Sequence, residues 1–289
     1  MNIVVCIKQV PDTTEIKIDP VKGTLIRDGV PSIMNPDDKG GLELALRMKD
    51  NYGANVTVIT MGPPQAELIL REAMAMGADR AILLTDRKFA GADTLATSYA
   101  LAGAMKTMDY DLIIAGRQAI DGDTAQVGPQ VAEKLELAQI TYAEELVSVS
   151  ENEIVIKRRL DRGVETVKTS FPVLITVHGN AKDCRPRHAK RVIMYKNACS
   201  ISEGQQTTDN GHQSLSTETL WERKPFLKIE EWNADDINPD FSRLGMSGSP
   251  TKVKSIENVV LTSKKNKIIN NSESEINELM KELVTAHII

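Results

Sequence analysis

Short apolar runs alternate with helical rhythms over the first half of the chain. IVVCI (3–7), VTVIT (56–60), AILLT (81–85) and LIIAG (112–116) are almost continuously apolar, as in strands covered on both faces. Between them, Pro36 and Asp37 open a segment with Leu42, Ala45 and Leu46 on one side, where Lys49 can snorkel. MGPP introduces a second helix carrying Leu68, Ile69, Ala73 and Met76. GADTLATSYALAGAMKTM begins a third near Asp93 or Thr94, and a fourth rhythm starts at Gln126. EIKIDPVKGTLIRDG reads as a small solvent-facing hairpin, with Pro20 and Gly23 at its turn. This alternation predicts an α/β fold, a doubly wound and mostly parallel sheet of Rossmann-like type. Right-handed crossovers then gather the strand-to-helix loops at the carboxyl edge.

The texture changes after residue 137. ENEIVIKRRLDRGVETVKTSFPVLITVHG predicts a β-hairpin followed by an apolar strand at 173–177, with Pro172 before it. Residues 137–180 therefore complete the same sheet or add an antiparallel annex. From Lys182 the chain is less self-contained: DCRPRHAKRVIMYKNA is basic, and SEGQQTTDNGHQSLSTE is polar with little to form a core. WERKPFLKIEEWNADDI supplies rare aromatics, and SEINELMKELVTAHI predicts a late helix, with Ser272 and Glu275 as a capping box. Such an extended C-terminal arm either packs on another polypeptide or folds back on the parent sheet.

Composition narrows the function. A length of 289 residues, 41% hydrophobic and 26% charged, suits a soluble globule. The net charge of −5 and the lack of a basic stripe argue against nucleic acid as a partner. No run approaches a membrane span, and MNIVVCIKQVPD is too short an apolar start for an export signal. With Cys6, Cys184 and Cys199 unpaired in spacing, a cytoplasmic location is expected. The four histidines are scattered without metal-ligand spacing, and neither GxGxxG nor GxxxxGK[ST] is present. No residue is a candidate for direct catalysis; a cofactor would carry any chemistry.

Two loops share a grammar of Gly, then Asp, then Thr as a helix begins: GADTLATS (91–98) and GRQAIDGDTAQVG (116–128). Asp93 or Thr94 can cap one helix, and Asp123 or Thr124 the next. Caps alone would explain either loop, and Gly122 could simply permit a positive φ. Two such loops together at the ligand edge favour a phosphate cradle of hydroxyls and backbone N–H groups, without lysine.

The chain resembles the beta subunit of electron transfer flavoprotein over nearly its whole length. The resemblance rests on VVCIKQVPDTTEIKIDP, RDGV, MNPDD, AMAMGADRAILL, GRQAIDGDTAQVGP and IKRRLDRGVETVKTSFPVLIT, in family order. Gly122 followed by Asp123, Thr124 and Gln126 resembles the branch whose beta subunit accommodates a whole FAD. GADTLATS, WNADDI and SRLGMSGSPTKV (242–253) resemble the same electron-bifurcating or nitrogen-fixation-associated branch. A glycine at 122 removes bulk where a pyrophosphate must approach backbone.

The resemblance implies a nucleotide shell of Gly116, Asp121, Gly122, Asp123, Thr124, Ala125, Gln126, Val127 and Gly128. Asn35 and the backbone around Cys6 and Gly62 should lie near the nucleotide. Asp93, Thr94 and Thr97 should serve the flavin or its phosphate, with Arg117 an electrostatic neighbour. It further implies an alpha-subunit partner with a second FAD. NADH would reduce the beta-subunit FAD, one electron passing to ferredoxin or flavodoxin. The other would pass to a partner acyl-CoA or lactate dehydrogenase, so the chain acts as a flavoenzyme only within a complex. Residues 1–181 would form the FAD-binding domain, 182–236 a strap embracing the partner, and 237–289 a segment packing on the alpha subunit. Cys199 to Phe226 is longer than the family pattern and suits partner contact, with Trp221, Phe226 and Trp232 as anchors. Two other readings stay open: a non-bifurcating subunit that binds AMP structurally, and a nucleotide-sensing module.

Overall fold

The computed structural model describes residues 1–12, 17–18, 25–26, 31–179, 181, 184–202, 217–251 and 268–286. After β1 (Asn2–Cys6), the short strands β2 (Gln9–Pro11), β3 (Lys17–Ile18), β4 (Leu25–Ile26) and β5 (Ser32–Met34) form two antiparallel pairs. The β3–β4 pair is the expected hairpin, although its turn lies outside the described residues. There follow α1 (Pro36–Tyr52), β6 (Asn55–Met61), α2 (Glu67–Met76), β7 (Arg80–Leu84), α3 (Thr94–Met105), β8 (Leu112–Gly116) and α4 (Val127–Lys134). The long strands β9 (Ala138–Val149), β10 (Glu153–Leu160) and β11 (Gly163–Ser170) precede β12 (Val173–Val177). Then come α5 (Ala189–Met194), α6 (Thr217–Arg223), β13 (Glu230–Trp232) and α7 (Glu273–Thr285).

The main sheet has nine strands in the order β11-β10-β9-β12-β8-β1-β6-β7-β13. From β9 to β13 every neighbouring pair is parallel, and β10 and β11 add an antiparallel annex. Alternation along each strand explains the two helical layers. Ile3 and Val5 pack with Leu42, Leu46, Ile69 and Met76 of α1 and α2. Val4, between them, packs instead with Leu101 and Met105 of α3 and Val131 of α4. Both faces are thus dry, which is why these strands read as unbroken apolar runs.

One expectation for the helices holds and one changes. Lys49 does reach past the core, bonding the Gly77 carbonyl at 2.9 Å and pairing with Asp79. Leu68, however, is 55% exposed, and Leu70 takes the buried place. A turn at Pro64–Ala66 delays α2 to Glu67, so Ile69, Ala73 and Met76 define its inner face and Leu68 falls beside it.

Past Lys182 the chain returns to the sheet. Glu67 accepts the Ser200 amide at 2.8 Å, Arg71 bonds the Ala198 carbonyl, and β13 pairs in parallel with β7. Trp232 lies inside β13 with the Arg80 guanidinium 5.6 Å from its ring, so it packs on its own chain. Most of SEGQQTTDNGHQSLSTE lies outside the described residues. Ser272 caps α7 through the Glu275 amide, but the Glu275 carboxylate turns to Asn270, leaving half a capping box.

Candidate functional site

Strand order reverses at β1: β6 and β7 lie on one side, β8 and β12 on the other. The crevice beyond the carboxyl ends of β1 and β8 is the switch point where doubly wound sheets bind ligands. Cys6 ends β1, Gly116 ends β8, and Gly62 follows β6, its amide bonded to the Leu84 carbonyl at 3.1 Å.

The N-terminus of α1 holds the crevice together. Asn35, fully buried, donates to the Gln118 carbonyl at 2.9 Å and accepts from the Ile120 amide at 3.1 Å. Asp38 accepts the Lys8 amide at 2.7 Å with one oxygen and the Gly116 amide at 3.0 Å with the other. Burial pushes the Asp38 carboxyl up to about 7, against its hydrogen bonds from Asn35, Lys8 and Gly116. The Cys6 thiol is pushed up to about 12 by desolvation and by the Asp38 charge, so it is a poor nucleophile. Arg117 lies 3.5 Å from Asp37.

The loop from Gly116 to Gln126 is where the paired-cap expectation fails on one side. Asp93 does cap α3, accepting the Leu95 and Ala96 amides at 2.9 and 3.0 Å. Its second oxygen takes the Thr251 amide and hydroxyl, at 3.1 and 2.7 Å. Neither Asp123 nor Thr124 caps α4. The N-cap is Gln126, and it makes no side-chain cap bond. Asp123 instead accepts from the Gln118 side chain at 2.8 Å, while Thr124 is exposed. Gly122 does not have a positive φ; those angles fall on Asp123 (47°) and Ala125 (53°). An added Cβ at Gly122 would meet nothing within 4 Å. The turn geometry thus sits on residues with side chains, the kind of backbone cost that gathers at functional sites.

The two loops do come together. Thr94 donates to the Gln126 side chain at 2.8 Å, and one turn on Ser98 donates to Gln130 at 3.1 Å. Gly128 lets α4 close on β12, since a Cβ there would crowd the Thr176 methyl. Thr97 and Val127 are partly exposed beside them. Lys8 was not foreseen: it crosses from β1 to Asp121 at 2.7 Å, bringing a lysine to a loop that has none of its own. Asp38 was missed as well. Its signal was the acidic pair after Pro36, which reads equally well as an ordinary acidic first turn.

The site is an open edge, whereas a hollow of about 350 Å³ lies beside α3, lined by Leu95, Tyr99, Arg243 and Ser249 among others. None of the expected shell residues lines it. Among the described residues no cluster of His, Cys, Asp and Glu could hold a metal, and no helix is long and apolar enough to cross a membrane.

Residues 22–198 match the electron transfer flavoprotein domain family. The chain belongs to the electron transfer flavoprotein beta-subunit family. It is 52% identical over 255 residues to the electron transfer flavoprotein subunit beta of Clostridium acetobutylicum, covering 88% of this chain and 86% of that one. The corresponding subunit of Thermoanaerobacterium thermosaccharolyticum is 44% identical over the whole of both chains. Subunit CarD of the caffeyl-CoA reductase–Etf complex of Acetobacterium woodii is 44% identical over 88% of this chain and 86% of its own. The matched family region takes in the elements from α1 through β12, so it contains β8 and the loop after it, while β1 and β13 lie outside it.

Proposed function

We propose that this chain is a beta subunit that holds one FAD across the crevice between β1 and β8, and that it works beside an alpha subunit carrying a second FAD. The observation that carries the reading is the uncapped start of α4. Its amides have no side-chain cap, whereas those of the neighbouring α3 are capped by Asp93. An uncapped helix N-terminus with hydroxyl and amide side chains around it suits a diphosphate. Thr94, Thr124 and Gln126 supply those groups, and the open space at Gly122 leaves backbone accessible. These residues fit the adenosine-diphosphate portion of FAD. The Lys8 charge, partly offset by Asp121, adds attraction for its phosphates.

When bound, FAD supplies two-electron acceptance from NADH and one-electron release. The chain's own part is to bind and orient. Asn35 and Asp38 fix the loop backbone, Thr94 and Gln126 link the two helix starts, and Asp93 braces α3. In the bifurcating form of the reading, one electron goes to ferredoxin or flavodoxin and the other, through the alpha-subunit FAD, to a dehydrogenase. An acyl-CoA dehydrogenase or a lactate dehydrogenase suits that last place, and the name of the Acetobacterium relative supports a CoA-ester substrate. The division into an FAD-binding domain (1–181), a strap (182–236) and a segment for the alpha subunit (237–289) belongs to the same reading. So does the cytoplasmic setting in which its partners work.

Extraction of nucleotide from the co-expressed heterodimer tests it. Two FAD per heterodimer are expected. One FAD and one AMP would replace it with the structural-AMP reading, which the same uncapped helix would also suit.

A further inference from the structure

We propose that Asp38 is the positioning residue of this nucleotide site: its two carboxylate oxygens span the crevice and set the spacing of the loops after β1 and β8. The proposal rests on the nucleotide reading above for what the loops hold, but the span itself is a matter of geometry. One oxygen takes the Lys8 amide and the other the Gly116 amide, from strands that lie side by side in the sheet. Gly116 has no room for a side chain, because a Cβ there would overlap the Asp38 carboxylate and lie 2.7 Å from the Asp38 amide. A carboxylate buried to 7% exposure is costly unless it is bonded on both oxygens, as this one is. Its backbone partners are the two amides that begin the two loops, with the Asn35 side chain beside them. Lys8 continues to Asp121 and Gly116 continues to Gln118, itself held by Asn35.

Protonation would remove one of the two acceptors and loosen the span. With burial raising its carboxyl to about 7 from 3.8, Asp38 changes charge near neutrality. The folded chain then keeps a proton that the unfolded chain has released, so this group favours folding below pH 3.8 and loses that contribution as pH rises through about 7. Loop spacing runs the other way: the doubly bonded carboxylate is the form above pH 7. Among the described residues the other titratable or charged groups at this edge are Asp37 and Lys39 on α1, the neutral Cys6 thiol and Lys8 from β1, Arg117 and Asp121 after β8, and His178 after β12. His178 lies with its ring 6.0 Å from that of Tyr142, and a variant at that position serves as the control.

The test uses the heterodimer, stripped of flavin and titrated with FAD from pH 5.5 to 8.5. Wild type and His178→Gln should bind about tenfold more tightly at the upper end, with a midpoint near 7. Asp38→Asn should bind weakly and without that midpoint, and Asp38→Glu should restore the pH dependence. In parallel, the Gly116 amide of glycine-labelled wild type should shift with a midpoint near 7 by nuclear magnetic resonance without nucleotide, and with a midpoint about one pH unit lower once FAD is bound, as the tenfold preference requires. A Gly116 resonance that does not move, or an FAD profile that survives Asp38→Asn, overturns the proposal. A wild type that binds no FAD while Gly116 titrates would sink the FAD reading and leave the span standing. If Asp38→Asn fails to fold, the Gly116 titration and Asp38→Glu decide.

Discussion

Gly116 and Gly122 lie six positions apart in one loop, yet they are glycines for opposite reasons. At Gly116 a Cβ would run into the backbone and carboxylate of Asp38; at Gly122 it would meet nothing. Gly116→Ala should therefore destabilise the chain by about 1–3 kcal/mol through overpacking, read as a lower urea midpoint. Gly122→Val should leave that midpoint within about 0.5 kcal/mol, as at an unencumbered surface position. Its effect should fall on ligand instead, with flavin content dropping while the heterodimer still assembles. Full flavin occupancy in Gly122→Val would remove the cradle from this loop. The string GRQAIDGDTAQVG identified the loop but could not sort its glycines, because Gly116's neighbour is contributed from 78 residues earlier. For the same reason Lys8 and Asp38 were invisible as partners, their contacts being set by strand order alone.

Helix starts divide along similar lines. Asp93 and Asp123 occupy matching places in two like phrases, and only Asp93 is a cap. Local grammar revealed both turns, but the positive φ angles at Asp123 and Ala125 rotate the second carboxylate toward Gln118. Desolvation would raise the Asp93 carboxyl, but hydrogen bonds from Ala96, Thr251 and Leu95 outweigh it and hold it below 3.8. Its contribution is thus present above pH 3.8 and is lost as pH falls through the lower folded value. Asp93→Ala should cost about 1 kcal/mol at neutral pH, the usual scale for a lost cap. Melting curves of variant and wild type should draw together in acid; a gap that persists at pH 2–3 (roughly a unit below the ordinary aspartate value) would argue that packing, not the charge, is what Asp93 contributes.

At the scale of the molecule, the periodic half of the chain was legible from its strands, since both faces of β1, β6, β7 and β8 are dry. Beyond it the hairpin of β10 and β11, the strand β12 and the helix α7 were legible too. The return of Ser200 and β13 to the sheet was not, because those residues pair with elements far away in sequence. α7 buries none of its residues, and Ile276, Met280 and Val284 line one side of it at 45–56% exposure. If this stripe meets the alpha subunit, Met280→Glu should weaken the heterodimer by about ten- to a hundredfold, the worth of one buried side chain. Analytical ultracentrifugation would read it, and an unchanged dissociation constant would free the helix from that role. Deleting 204–218 should leave flavin content intact while lowering affinity for the alpha subunit or the dehydrogenase, titrated separately. β13 has a different consequence, one of timing. It closes the β7 edge of the sheet, with Glu230 opposite Ile82 and bonded to Arg80 at 2.6 and 2.7 Å. Translation reaches Ile82 long before Glu230, so a ribosome adding about 5–20 residues each second leaves that edge unpaired for roughly 7–30 seconds. Throughout that interval the nascent chain presents a bare, apolar strand to whatever waits at the exit tunnel.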